Sequence, residues 1–229
     1  MGWMAKVRAG DPGGSPSMSA RSKDVDSSTA ASPRVSNGLK EFLWLASDTN
    51  RGNILDLGPA WQATLSFFAE KGYRITSDDL LRTWWAFLTG EEERLRSLGI
   101  NAERPTKDAL AEQFLQDALQ YPEQSYNGVL MWDLLDYFEP ALATRMMARI
   151  YEMLRPGGVM LALFHSRPAE RFHRYRVSDG QTIEMVPAAS FATQVRVLQN
   201  REIQDLFAKF RSSKTFIGRD QLREVVFLK

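Results

Sequence analysis

Apolar residues recur along this chain in two alternating rhythms, and the order of those rhythms predicts its elements. Leu39, Phe42, Leu43 and Ala46 fall at the spacing of one helical face, so a short amphipathic helix opens the folded part. Asn53-Ile54-Leu55-Asp56-Leu57 is a brief apolar run that stops at Gly58-Pro59. A helical stretch from Trp61 to Lys71 follows, with Leu65, Phe68 and Ala69 on one side and Gly72 placed to end it. Tyr73 to Ser77 then reads as a second strand running into Asp78-Asp79. Strand, turn, helix and strand in this order form a βαβ unit, which implies a parallel pair with a right-handed crossover.

The same alternation continues. Two helical stretches, around Leu81 to Arg96 and Lys107 to Leu115, are separated by the break from Gly99 to Pro105. Tyr126 to Trp132 is a strongly apolar strand, Pro140 to Leu154 is helical, and Pro156-Gly157-Gly158 stops that helix before a buried strand from Val159 to Phe164. Asp179-Gly180 between Tyr175–Ser178 and Gln181–Met185 is a hairpin signal. Asn200 is placed to cap a helix reaching Phe210, and strands near Lys214 to Ile217 and Leu222 to Leu228 close the pattern. Residues 1–36 differ: they are rich in Ser, Ala, Gly and Pro without an apolar period, and read as a disordered N-terminal tail ahead of one domain over 37–229.

Composition narrows the function only a little. The 229 residues are 44% hydrophobic and carry a formal net charge of +1, so no global field points to nucleic acid or a polyanionic partner. The chain has 0 Cys, which excludes thiolate nucleophiles, disulfides and cysteine-ligated metals, and fits a cytoplasmic setting. No apolar run approaches the roughly 18 residues that span a bilayer, so no membrane role is expected. Metal-ligand spacings, a serine–histidine–aspartate set and a phosphate loop ending in Gly-Lys-Ser are all missing from the pattern.

Candidate chemistry therefore sits where the parallel strands stop, because ligands of such sheets bind beyond the carboxyl ends of the strands. Asp56-Leu57-Gly58 permits a sharp turn into a helix whose first amides and dipole face a bound polar group. Asp79, roughly 20 residues further on, is placed to accept both hydrogen bonds of a ribose diol, with Asp78 beside it. A nucleoside is the ligand this suggests. Asp56 also reads as a strand-end residue that caps its own turn, and Asp78 and Asp79 as solvated turn acids. Trp84, Trp85 and Phe87 read as core before substrate floor. His165 and His173 stand without a carboxylate at a telling spacing, and the catalytic residues remain unassigned.

With these residues in view, the chain from about residue 38 onward resembles the class I S-adenosylmethionine-dependent methyltransferase family. Phe114 to Pro122 followed by Ser125 to Val129 is similar to the family's third and fourth strand segments; Trp132 to Phe138 resembles the segment after the fourth, and Leu154-Arg155-Pro156-Gly157-Gly158 the turn into the fifth. The resemblance implies a Rossmann-like three-layer α/β/α sandwich around a mostly parallel seven-stranded sheet with a reversed last strand. It also implies S-adenosylmethionine as cofactor, a small-molecule acceptor, and cofactor contacts at Asp56, Gly58, Ala60, Asp78, Asp79, Asp117, Ala118 and Trp132. Asp117 would meet the adenine amine, with the Ala118 amide beside it. The family's acidic-x-Gly-x-Gly-x-Gly turn reads Asp56-Leu57-Gly58-Pro59-Ala60-Trp61-Gln62 here, keeping only the first glycine. Two alternatives stay open on that account: a non-catalytic scaffold of the same fold, and a dinucleotide-dependent oxidoreductase, since Gly58, Ala60 and Ala63 echo Gly-x-Gly-x-x-Gly/Ala.

Overall fold

The computed structural model describes residues 30–47, 52–99, 103–218 and 220–229. In chain order the elements are β1 (Ser32–Val35), α1 (Asn37–Ala46), β2 (Asn53–Asp56), α2 (Gln62–Glu70), β3 (Arg74–Ser77), α3 (Leu80–Leu98), α4 (Lys107–Asp117), β4 (Tyr126–Trp132), α5 (Pro140–Met153), β5 (Leu154–His165), β6 (His173–Asp179), β7 (Thr182–Pro187), α6 (Asn200–Leu206), β8 (Ser212–Ile217) and β9 (Leu222–Leu228). The central sheet runs β3-β2-β4-β5-β9-β8. Strands β2 to β5 are mutually parallel, and β9 is antiparallel to both its neighbours. Among the described residues no helix is long and apolar enough to cross a membrane.

Period-two alternation within the buried strands feeds two cores. Leu55, Val129, Met131, Met160, Ala162 and Phe164 face a cluster that takes in Leu80 and Trp84 of α3, Phe114 of α4, Leu142, Met146 and Ile150 of α5, and Ile203 of α6. Ile54, Leu130, Val159, Leu161 and Leu163 face the other side, against Leu39 and Phe42 of α1 and Phe68 of α2. Three layers result, helices on both faces of a mostly parallel sheet. Trp84 is 6% exposed, stacks on Phe87 and meets Phe114 and Phe138 edge-on, so it is core.

Local signals explain most boundaries. Ser36 accepts a hydrogen bond from the Leu39 N–H and so caps α1, Pro140 starts α5 where a missing N–H costs nothing, and Gly72 has φ 85° after α2. The Asp179-Gly180 hairpin forms, and β7 pairs on its other edge with β1, making a small antiparallel sheet ordered β1-β7-β6.

Three expectations change. Residues 32–35 lie in the stretch assigned to a tail, yet they form β1, because Arg34 ion-pairs with Glu224 and, at 2.6 Å, with Asp220; residues 1–29 lie outside the described residues. The central sheet has six strands among the described residues, with no seventh beyond β3. The chain after α4 turns instead, with Leu119 at φ 56° and Gln124 at φ 50°, conformations that end an extended run. Finally, β5 begins at Leu154 and carries Pro156-Gly157-Gly158 within it as an irregularity, so the break bends the strand's entry and does not precede it.

Candidate functional site

The carboxyl ends of the four parallel strands present Asp56, Ser77 with Asp78 and Asp79, Trp132 with Asp133, and His165. Asp56 is fully buried. Its Oδ1 accepts from the Gly58 N–H at 2.9 Å and from Trp132 Nε1 at 2.6 Å, while Oδ2 is buried with no hydrogen-bond partner among the described residues. Burial pushes this carboxyl up to about 6, against the pull of the Trp132 and Gly58 hydrogen bonds and of the Arg174 charge. Gly58 is required by close approach: a Cβ there would stand 2.7 Å from Trp132 Nε1 and 3.1 Å from Asp56 Oδ1. Trp132 itself holds φ 57°, a region that costs a bulky residue on the order of 1–3 kcal/mol. Its indole stacks on Tyr175, with centroids 5.7 Å apart and planes 10° from parallel.

The other expected contacts divide. Asp78 is half-buried; burial raises its carboxyl, and Tyr121 donates to its Oδ2 at 3.1 Å. Asp79, expected at the ribose, is already engaged, because it caps α3 through the Arg82 N–H (3.3 Å) and ion-pairs with Arg174 from β6. The Ala118 N–H donates to the Phe114 carbonyl at 3.0 Å and is spent in closing α4, and Asp117 is exposed on the last turn. Ala60 is exposed, and Gln62 turns along α2 to donate to Ser66 Oγ at 2.9 Å. No side chain caps α2, which leaves its first amides open. Ser77 Oγ is buried and unpartnered among the described residues. Asp56 Oδ2 and Ser77 Oγ are both sealed from solvent, and Asp78 lies beside them, its N–H donating to the Asp56 carbonyl at 2.8 Å.

Sequence spacing concealed a second cluster. His165 does have a carboxylate partner: its Nδ1 lies 2.8 Å from Asp136 Oδ2, which also accepts the His165 backbone N–H at 2.9 Å. Asp133 Oδ2 is 3.9 Å from the same Nδ1 and accepts from Tyr175 Oη at 3.0 Å. Burial raises the Asp133 carboxyl to about 6, with the His165 charge opposing. For His165 burial pulls down, but the Asp136 hydrogen bond and the charges of Asp133 and Asp136 outweigh it, and the imidazole is raised overall. The residues concerned lie far apart in sequence, and the only sequence signal was their common position just past a strand end. Tyr175 joins the two clusters, touching Trp132 with its ring and Asp133 with its hydroxyl. Arg174 lies over Phe172 and Phe191, which packs it down onto Asp79.

Comparison with known proteins gives one family. A family model described as a methyltransferase domain matches residues 31–210. Solved structures similar to this chain include a 1,6-didemethyltoxoflavin-N1-methyltransferase of Burkholderia thailandensis with its substrate and S-adenosylhomocysteine bound, at 17% identity over 84% of this chain and 78% of that one, TM-score 0.44. A SAM-dependent methyltransferase of Methanosarcina mazei is similar at 16% identity over 79% and 93%, TM-score 0.43. One from Archaeoglobus fulgidus is similar at 10% identity over 83% and 93%, TM-score 0.45. No curated protein matches.

Proposed function

We propose, since the chain belongs to the methyltransferase-domain family, that it takes S-adenosylmethionine as its methyl donor, methylates a small-molecule acceptor and seats that cofactor at the ends of β2 and β3. The observation that carries the reading is the pair of buried, unpartnered oxygens there, Asp56 Oδ2 and Ser77 Oγ, beside the Gly58 turn. Buried polar atoms without partners are rare in folded proteins, and at a strand end they fit a ligand that supplies the missing hydrogens. The residues present therefore suit the cofactor, with one reassignment. Asp78 takes the ribose diol, because Asp79 is committed to α3 and Arg174.

The open amides of α2 receive a carboxylate, helped by the positive end of the helix dipole. Above pH of about 6 the ionised Asp56 offers charge to an ammonium group. Gly58 and Trp132 shape the wall between these groups. Asp117, exposed at the end of α4 shortly before the Tyr121 that touches Asp78, is the acceptor for the adenine amine, and Ala60 borders the turn. When bound, S-adenosylmethionine supplies an electrophilic methyl on its sulfonium, so the protein's task is to align an acceptor with it.

Isothermal titration with S-adenosylmethionine and S-adenosylhomocysteine tests the reading. Wild type is expected to bind both, Asp78→Asn to lose about tenfold or more in affinity, and Asp79→Asn to stay within about threefold while unfolding at lower temperature. A folded wild-type chain that binds neither ligand at millimolar concentration overturns the cofactor seat and favours the scaffold alternative. Equal losses in the two variants overturn the assignment of Asp78.

A further inference from the structure

We propose that His165 is the general base of an acceptor pocket beyond the end of β5, and that this pocket takes a small acceptor with an acidic hydroxyl, a phenol or an enol. The proposal rests on the methyltransferase reading above and names the acceptor chemistry of that reaction. A cavity of about 190 Å³, room for a single ring, is lined by His165, Arg167, Arg171, His173, Met185 and Asp220, among others. Nothing else in the chain brings a histidine, a carboxylate partner and a cavity together at a strand end among the described residues.

The ring of His165 is set for proton uptake. Asp136 Oδ2 accepts from the His165 backbone and stands 2.8 Å from Nδ1, which fixes the ring and its tautomer and leaves Nε2 as the nitrogen for a ligand. The charged and titratable groups facing it are Asp133 and Asp136 from the turn after β4, His173 from β6, Asp220 before β9, and Arg223 of β9, which donates to the His165 carbonyl at 3.2 Å. The carboxylates hold the imidazolium once it forms, consistent with the raised titration of His165 despite its burial. His173 is pulled the other way by burial and stays neutral at neutral pH.

An acidic hydroxyl fits better than an aliphatic alcohol or an amine. Imidazole can deprotonate a phenol or enol at small cost, whereas an alcohol is too weak an acid and an amine needs no base before it attacks. Asp220 in the lining is ion-paired with Arg34, and Arg167 in the lining brings positive charge for a forming oxyanion. In the step itself the hydroxyl proton would pass to His165 Nε2, and the imidazolium would later return it to water. Bound S-adenosylmethionine would supply the methyl group to the acceptor oxygen, the carbon–sulfur electrons staying with sulfur, so that a methyl ether and S-adenosylhomocysteine would leave.

The probe is 4-nitrophenol, a one-ring phenol whose anion absorbs visible light, mixed with S-adenosylhomocysteine-loaded protein at a pH just above the titration of the wild-type imidazole, where His165 is neutral, with the band of protein-free phenol at that pH subtracted. Wild type is expected to develop the phenolate band in proportion to bound phenol. His165→Gln, checked by thermal melting, is expected to lose the band, and Asp136→Asn to reduce it several-fold. Absence of the band in wild type, including absence of phenol binding, or a band that survives in folded His165→Gln, overturns the proposal. Should His165→Gln fail to fold, nitrogen-15 resonances of the wild-type imidazole carry the test: Nε2 is expected to move to its protonated position on adding phenol, and an unmoved Nε2 overturns the assignment. Calorimetry with S-adenosylhomocysteine on the same samples separates the two readings, since cofactor binding without the band defeats His165 alone, and no cofactor binding defeats the seat.

Discussion

Asp56 binds its proton more tightly in the folded chain than in the unfolded one. Its carboxyl rises from 3.8 to about 6 through burial, so the stability it contributes is full below pH of about 4 and is lost as pH rises through about 6. By neutral pH the loss amounts to about 3 kcal/mol, an order-of-magnitude figure. Asp56→Asn keeps an acceptor for Gly58 and Trp132 and removes the charge. Its melting temperature should exceed that of wild type at about pH 8, and the gap should close on acidification to about pH 4. Equal melting temperatures at both ends would refute this account. Asp56, Gly58 and the Asp78-Asp79 pair were legible in sequence because strand ends are local features. Which aspartate is free was not legible, because Arg174 reaches Asp79 from a distant hairpin; nor was His165, whose carboxylate comes from the turn after a neighbouring strand. Such pairings are made by the sheet's register, which single-sequence periodicity does not encode.

At the level of elements, apolar period alone located every helix and nearly every strand of the central sheet. It missed β1, whose Ser-Pro-Arg-Val carries no apolar rhythm and is held through Arg34 and pairing to β7. The family resemblance implied a seventh strand as well, and there the chain turns at Leu119 instead. One close joint between elements is where α1 lies on β4. A Cβ at Gly128 would stand 2.6 Å from Phe42 Cζ and 2.8 Å from Ile54 Cδ1, atoms held in a filled core. Gly128→Ala should cost about 1–3 kcal/mol in urea unfolding, the usual penalty of overpacking. A neutral result would show that α1 can slide on the sheet.

For the molecule as a whole, the two apolar clusters are not independent, because they alternate along the same strands: Leu55 with Ile54, Val129 with Leu130, Met160 with Leu161. Loss of one face removes the backing of the other. Unfolding should therefore show one transition, with tryptophan emission, far-ultraviolet circular dichroism and calorimetry superimposing. Separate midpoints would mean that the small sheet β1-β7-β6 opens by itself, which the hydrogen bond from the Val177 N–H to Thr64 Oγ1 of α2 opposes.

Where Gly58 faces the indole of Trp132, two positions distant in sequence share one volume. In diverging relatives of this chain those positions cannot drift separately. Any side chain gained at 58 requires a smaller one at 132, and losing the indole takes from Asp56 the donor that lowers the cost of its burial. Residues 58 and 132 should covary, and glycine paired with tryptophan marks the lineage that has kept this arrangement.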